Sequence, residues 1–141
     1  MAQLLKADTQ VVVAIGPFVS IADGFTLINT FENSAADDLV LIKHGATTGV
    51  DISGRTDAAY GAYVAPGMVY LTLTTDDTDT EGNLTIIAED VNLCLPVVNR
   101  FQVISQAAFN SLHTTDASGL MTVDVATIAA NAITNLSLIH I

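Results

Sequence analysis

The sequence predicts an all-β fold, an antiparallel sandwich within residues 1–104, followed by a short helix and a helical tail. Three observations carry this. About seven short runs rich in Val, Ile, Leu and Thr are separated by turn signals every 8–15 residues or so, the spacing of a sandwich. No long helical period interrupts them, which disfavours a parallel α/β sheet. Half of the 141 residues are hydrophobic but only 6% are aromatic and none is Trp. The core of what is one domain by length must therefore be built from Val, Ile, Leu and Ala.

Taken in order, residues 1–8 read as a frayed arm. Val11, Val13 and Ile15 alternate as a first strand, which Gly16-Pro17 ends or bends. Pro17 has no amide donor, so this point is an edge or a crossing between sheets. Ile21-Ala-Asp-Gly24 is turn chemistry, and Phe25 to Phe31 a second extended segment. After the loop Glu32–Asp38, Leu39–Lys43 reads as a buried strand. His44–Gly49 is its hairpin turn, and Val50 and Ile52 return. Ser53–Asp57 is a further turn, and Ala59 to Ala65 alternates as a strand up to the turn signal Pro66-Gly67.

The clearest local pattern follows. Val69, Leu71 and Leu73 alternate with Tyr70, Thr72 and Thr74, and Leu84, Ile86 and Ala88 repeat the period. Between these strands runs Asp76-Asp-Thr-Asp-Thr-Glu-Gly82, a polar corner read as solvated and outside the core. Ala88–Asn92 is a turn, and Cys94–Ile104 the last strand, with Pro96 near its start. At Ser105 the period changes. Residues 105–120 read as a short helix, capped by Ser105 with Phe109 and Leu112 on one face, and a linker. Residues 121–141 read as a helical tail. Val125, Ala129, Ala132, Leu136 and Ile139 have heptad spacing, which suits either a coiled coil or a helix packed on its own domain.

Four Lys/Arg against fifteen Asp/Glu give a net charge of −11. Binding to nucleic acid needs a basic face, and so does binding to an anionic membrane surface, so neither is an expected partner. The acidity serves solubility or complements a basic partner or cations. The charge-free run from Thr9 to Ala22 is too short to span a bilayer and holds Gly16 and Pro17. Cys94 is the only cysteine, so no internal disulfide can form. Between Leu93 and Leu95 it reads as a buried thiol.

Few residues suggest chemistry. Asp77, Asp79 and Glu81, followed by Gly82, fall at positions 1, 3, 5 and 6 of a calcium loop. Position 12 is Ala88 instead of a bidentate carboxylate, and Glu89, one residue late, points to the opposite strand face. The competing reading is a turn closed by local Asp and Thr hydrogen bonds. His44, His113 and His140 are isolated and lack zinc-ligand spacing. No nucleophile elbow, phosphate loop or dinucleotide fingerprint occurs. Asn83-Leu-Thr and Asn135-Leu-Ser fit the glycosylation triplet, which matters only in a eukaryotic secretory context. Tyr60 and Tyr63 are candidates for stacking on a sugar, or, with Tyr70, for packing across strands. No cofactor is expected, and the chain reads as non-enzymatic.

Three stretches carry a resemblance: Val11–Thr26, Val69–Leu84, and Leu95-Pro-Val-Val with Phe101-Gln-Val. Over about residues 9–125 the chain resembles an immunoglobulin-like module of tailed-bacteriophage virion proteins, found in tail-fibre, baseplate and head-associated chains. The resemblance implies an immunoglobulin-like β-sandwich and a structural role in a tail or baseplate appendage. It also implies a virion location after synthesis in the bacterial host cytoplasm. Its implied partners are other virion proteins and further copies of the chain in a homo-oligomer. The alternative it leaves open is recognition of a host-surface carbohydrate. Val123–Thr134 is similar to the first copy of an Ala-Ile-Thr-rich repeat of phage tail proteins. The apolar ending Leu136–Ile141 resembles a translated sequencing adapter, so the chain is expected to be an environmental fragment lacking its true tail.

Overall fold

A computed structural model describes residues 2–28, 36–53, 58–59 and 67–113. Two compact units divide the chain, Met1–Gln106 and Ala107–Ile141. The described residues are mostly strand, with one short helix. The strands are β1 (Gln3–Lys6), β2 (Val11–Ile15), β3 (Leu39–Ile42), β4 (Val50–Asp51), β5 (Ala58–Ala59), β6 (Val69–Leu73), β7 (Gly82–Asp90) and β8 (Cys94–Ile104). The helix α1 is Gln106–His113. One sheet has the order β1-β8-β7-β3-β4, the other β2-β6-β5.

Both sheets contribute to one buried cluster, and the period of two explains which side chains enter it. On β6, Val69, Leu71 and Leu73 point inward and stand opposite Ile15, Val13 and Val11 of β2. On β7, Leu84, Ile86 and Ala88 point inward, as do Leu39 and Leu41 on β3. Val97, Phe101 and Val103 do the same on β8. Phe18, just past β2, is the largest fully buried side chain among the described residues. Each such Leu, Ile or Phe contributes about 1.5–3 kcal/mol by leaving water, so the cluster dominates the fold's stability.

Expectation and structure differ in three places. The N-terminal segment is not a frayed arm. Gln3–Lys6 pairs with Phe101–Ile104, and Leu5 is buried. That pair is parallel, so the larger sheet is mixed and not purely antiparallel. The cause lies at Ala7–Gln10, where the chain leaves one sheet for the other instead of making a hairpin. Asp8 takes a φ of 50° in this crossing. Thirdly, among the described residues between β2 and β3 there are only isolated bridges. Val19 pairs with Leu27 and Ser20 with Cys94, in place of a continuous second strand.

Elsewhere the strands fall close to their expected places. The β3–β4 hairpin forms, and β8 spans Cys94–Ile104 as expected. β7 runs on to Asp90, with a register irregularity between Ala88 and Asp90. The helix begins directly after Ser105, but its Leu112 is exposed. The end of the second extended segment at 29–31, residues 32–35 of the loop after it, residues 54–57 of the turn at 53–57, the rest of the strand expected at 59–65, the linker at 114–120 and the tail at 121–141 lie outside the described residues.

Candidate functional site

The acidic corner between β6 and β7 joins the two sheets, because β6 belongs to one and β7 to the other. Its turn is closed by Asp77 N–H to Thr74 O at 3.2 Å and Thr78 N–H to Thr75 O at 3.2 Å. The Asp77 carboxylate accepts from Thr74 N at 2.7 Å and from Thr74 Oγ1 at 3.0 Å. With these bonds Asp77 is only 4% exposed, and Thr78 is 0% exposed. This corrects the expectation of a solvated corner for these two residues, while Thr75, Asp76, Asp79 and Glu81 are exposed as expected. A buried polar group is tolerated when its hydrogen bonds are met inside.

Thr78 also ties the corner to the chain's beginning. Its Oγ1 accepts from Thr9 N at 3.0 Å and directs its proton to Thr9 O at 3.0 Å. Asp8 N–H donates to Thr78 O at 3.1 Å. One threonine therefore satisfies both backbone groups of Thr9, where the chain crosses between β1 and β2.

Outside the corner the charges are paired differently. Lys43, just after β3, donates through Nζ to Asp76 O at 2.6 Å and to Asp79 Oδ1 at 2.7 Å. Thr80 Oγ1 donates to the same carboxylate at 2.7 Å. The hydrogen bond from Lys43, then that from Thr80, holds the Asp79 carboxyl below its ordinary range. The His44 ring lies over Gly82, where φ is +117° and a Cβ would collide with it.

The calcium candidates are thus separated by task. Asp77 is turned inward, Asp79 is engaged by Lys43, and Glu81 is exposed. Among the described residues no three His, Cys, Asp or Glu side chains come together in a metal-holding group. Tyr60, Tyr63 and His140 lie outside the described residues. His113 stacks on Phe109 within α1, ring centroids 4.0 Å apart. Cys94 is buried, and burial pushes its thiol pKa up, as suits a structural residue.

At another corner the chain presents apolar side chains. Residues 18–28 fold back through Ser20 N–H to Thr26 O at 2.8 Å and Ile28 N–H to Phe18 O at 3.0 Å. Ile21 N–H to Leu93 O at 3.1 Å and Leu95 N–H to Val19 O at 2.9 Å join this segment to the β7–β8 turn. Asp23 accepts first from the Thr26 hydroxyl and then from the Thr26 and Phe25 amides, which lowers its pKa. The result exposes Phe25 at 77% and Val91 at 72%, together with Ile21, Leu27 and Leu95.

Two further features were missed by sequence reasoning. Asn99 occupies the inward parity of β8 and pairs with the backbone of Gly16, just past β2 of the other sheet. Gly16 N–H donates to its Oδ1 at 3.1 Å, and its Nδ2 donates to Gly16 O at 3.3 Å. A lone amide at a core position was the available signal. Thr78 gave no such signal, because its partner Thr9 is 69 residues away.

These arrangements define a mostly-β protein whose two sheets share one core. None of its described helices is long and apolar enough to cross a membrane. No protein-family model matches the chain, and no curated protein and no solved structure matches it.

Proposed function

We propose that this chain is a non-enzymatic, immunoglobulin-like structural module of a tailed-bacteriophage virion. It belongs to a tail or baseplate appendage and works through protein–protein contacts, with other virion proteins and with further copies of itself. The observation that supports the immunoglobulin-like part of the reading is the strand order, and the virion part rests on the resemblance carried by Val11–Thr26, Val69–Leu84 and the Leu95–Val98 and Phe101–Val103 stretches. β8-β7-β3 with β4 beside it follows the G-F-C order with C′, and β2-β6-β5 follows B-E-D. β1 adds to β8 in parallel, on the free side of that G position. The chain has no Trp and a single Cys. The disulfide and tryptophan of antibody domains are therefore replaced by an aliphatic core with Phe18 and Phe101.

The exposed apolar side chains at the Ile21–Leu27 corner and the β7–β8 turn fit a module that works by contact. Sequencing outward from the coding region tests the assignment. Tail or baseplate genes on both sides are the expected result, and a metabolic operon overturns it.

A further inference from the structure

The three-stranded sheet is open along β2. Its order is β2-β6-β5, so among the described residues β2 has a strand on one side only. The direction of its free backbone groups follows from Thr9. Both the N–H and the C=O of Thr9 meet Thr78, in the corner that follows β6. Along a strand these groups turn to alternate sides from one residue to the next. Those of Val11, Val13 and Ile15 therefore face β6, in register with Leu73, Leu71 and Val69. Those of Gln10, Val12 and Ala14 face the open edge, where no strand among the described residues meets them. Gly16 belongs to the same set, and its N–H and C=O are taken by the Asn99 side chain. Asn99 thus closes one end of the edge and leaves the rest of it open.

Proteins protect exposed sheet edges with short strands or charged side chains. β4 and β5 have two residues each, and β1 carries Lys6. β2 has five residues, Val-Val-Val-Ala-Ile, and neither device. Its outward side chains, Val12 at 53% exposure and Ala14, stand beside Thr72 and Tyr70 of β6. On a chain of net charge −11, β2 and β6 hold no charged residue.

We infer that β2 pairs with β2 of a second copy, antiparallel about a two-fold axis through Val12, so that the two three-stranded sheets become one. Such a contact is isologous, as a closed dimer requires. The free groups set its register. Val12 of each copy exchanges both its backbone bonds with Val12 of the other, and Gln10 stands opposite Ala14. A shift either way sets Ala14 against Asp8, whose φ of 50° leaves the strand, or Gln10 against Gly16, which Asn99 already holds. In this register Asp8 falls beside Gly16 of the other copy, so it does not meet a like charge. The acidic corner follows β6, one strand in from the edge, and its Asp79 is held by Lys43. A strand of another protein would satisfy the same groups, but only a copy of β2 brings a second edge in equal need of a partner. This deepens the self-contact part of the virion reading by assigning the strand used. The test reads self-association alone, so it is decided whichever genes flank the coding region.

The full chain is measured by sedimentation equilibrium up to about 1 mM. A monomer–dimer equilibrium is expected. Val12→Lys and Val12→Glu should each raise the dimer dissociation constant at least about tenfold, because like charges then face each other across the axis. An equimolar mixture of the two should associate within about threefold of the parent, because opposite charges now meet there. Val12→Pro removes an N–H that faces the edge and none that faces β6. Circular dichroism should show its strands kept, and its mass should stay that of one chain. If Val12→Pro loses its strands, the Lys and Glu variants carry the decision, since both keep the backbone donor. Amide exchange gives a second reading. Val12 and Ala14 should exchange freely in dilute solution and slow as concentration rises, while Val11 and Val13 stay protected throughout. A single-chain mass at about 1 mM overturns the inference. So does an oligomer that the charge variants leave unchanged, a mixture that fails to recover association, or slow Val12 and Ala14 amides in the dilute monomer.

Discussion

The acidic corner after β6 and the apolar corner after β2 each carry the chain out of the three-stranded sheet, yet they treat polarity in opposite ways. The first holds Asp77 and Thr78 inside, and the second leaves Phe25 and Ile21 outside. Hydropathy alone would reverse that placement. The difference lies in where the hydrogen bonds end. At the acidic corner, Asp77 closes its own turn and Thr78 completes the backbone of a distant crossing. At the apolar corner, Asp23 and the backbone of Leu93 and Val19 close the loop without using its apolar side chains. Those side chains remain free to touch something else. Burial at these corners follows the satisfaction of polar groups rather than side-chain class.

The sharpest way to break this comparison is Thr78→Val, which keeps the shape and removes the hydroxyl. Thr9 N–H and C=O then lose their partner in a partly buried place. The expected loss is about 2–3 kcal/mol, read from the urea midpoint with an unchanged slope. A loss below about 0.5 kcal/mol would mean that water replaces the hydroxyl and that the corner is not closed as described.

A smaller effect should come from the outer part of the same corner. Asp79 has its pKa lowered by Lys43 and Thr80. A depressed folded pKa gives stability that is present above the unfolded carboxylate value and is lost as pH falls through the folded one. Melting temperature should therefore drop between about pH 5 and about pH 2. Asp79 is 45% exposed, so solvent and salt screen this contribution. Lys43→Met should shallow the acid-side slope at low salt and change little at high salt. Asp23 and Asp51, whose pKa values are lowered by bonds from Thr26 and Ser53, continue to supply the rest of the slope. An identical slope in Lys43→Met would remove the Lys43–Asp79 pair from the account.

How much of this was legible depended on how local each cause is. β6 was readable because five residues carry the full alternation of buried and half-buried positions. β8 was readable despite Pro96 because Phe101 and Val103 keep the period. β1 was not, since Leu5 is its only buried residue and its partner lies at the far end of the strand-bearing region. The calcium spacing at Asp77, Asp79 and Glu81 was real as a pattern. Thr74 and Lys43 take up two of those carboxylates, and Lys43 lies outside any sequence window that contains the corner. The Asn99–Gly16 pair joins positions 83 residues apart, so only its inward parity on β8 hinted at it.

The smallest expected effect belongs to the other corner. Phe25 is 77% exposed, and the turn beneath it is held by Asp23 and by the Ser20 and Thr26 backbones. None of those bonds uses the ring. Phe25→Ser should leave the urea midpoint within about 0.5 kcal/mol of the parent, as for a surface change that removes no structural partner. It should also lower the exposed apolar area at this corner and with it non-specific association at high concentration. A loss of more than about 1 kcal/mol would show that the ring is covered in solution. The two corners would then no longer differ in what they bury, only in what they bond.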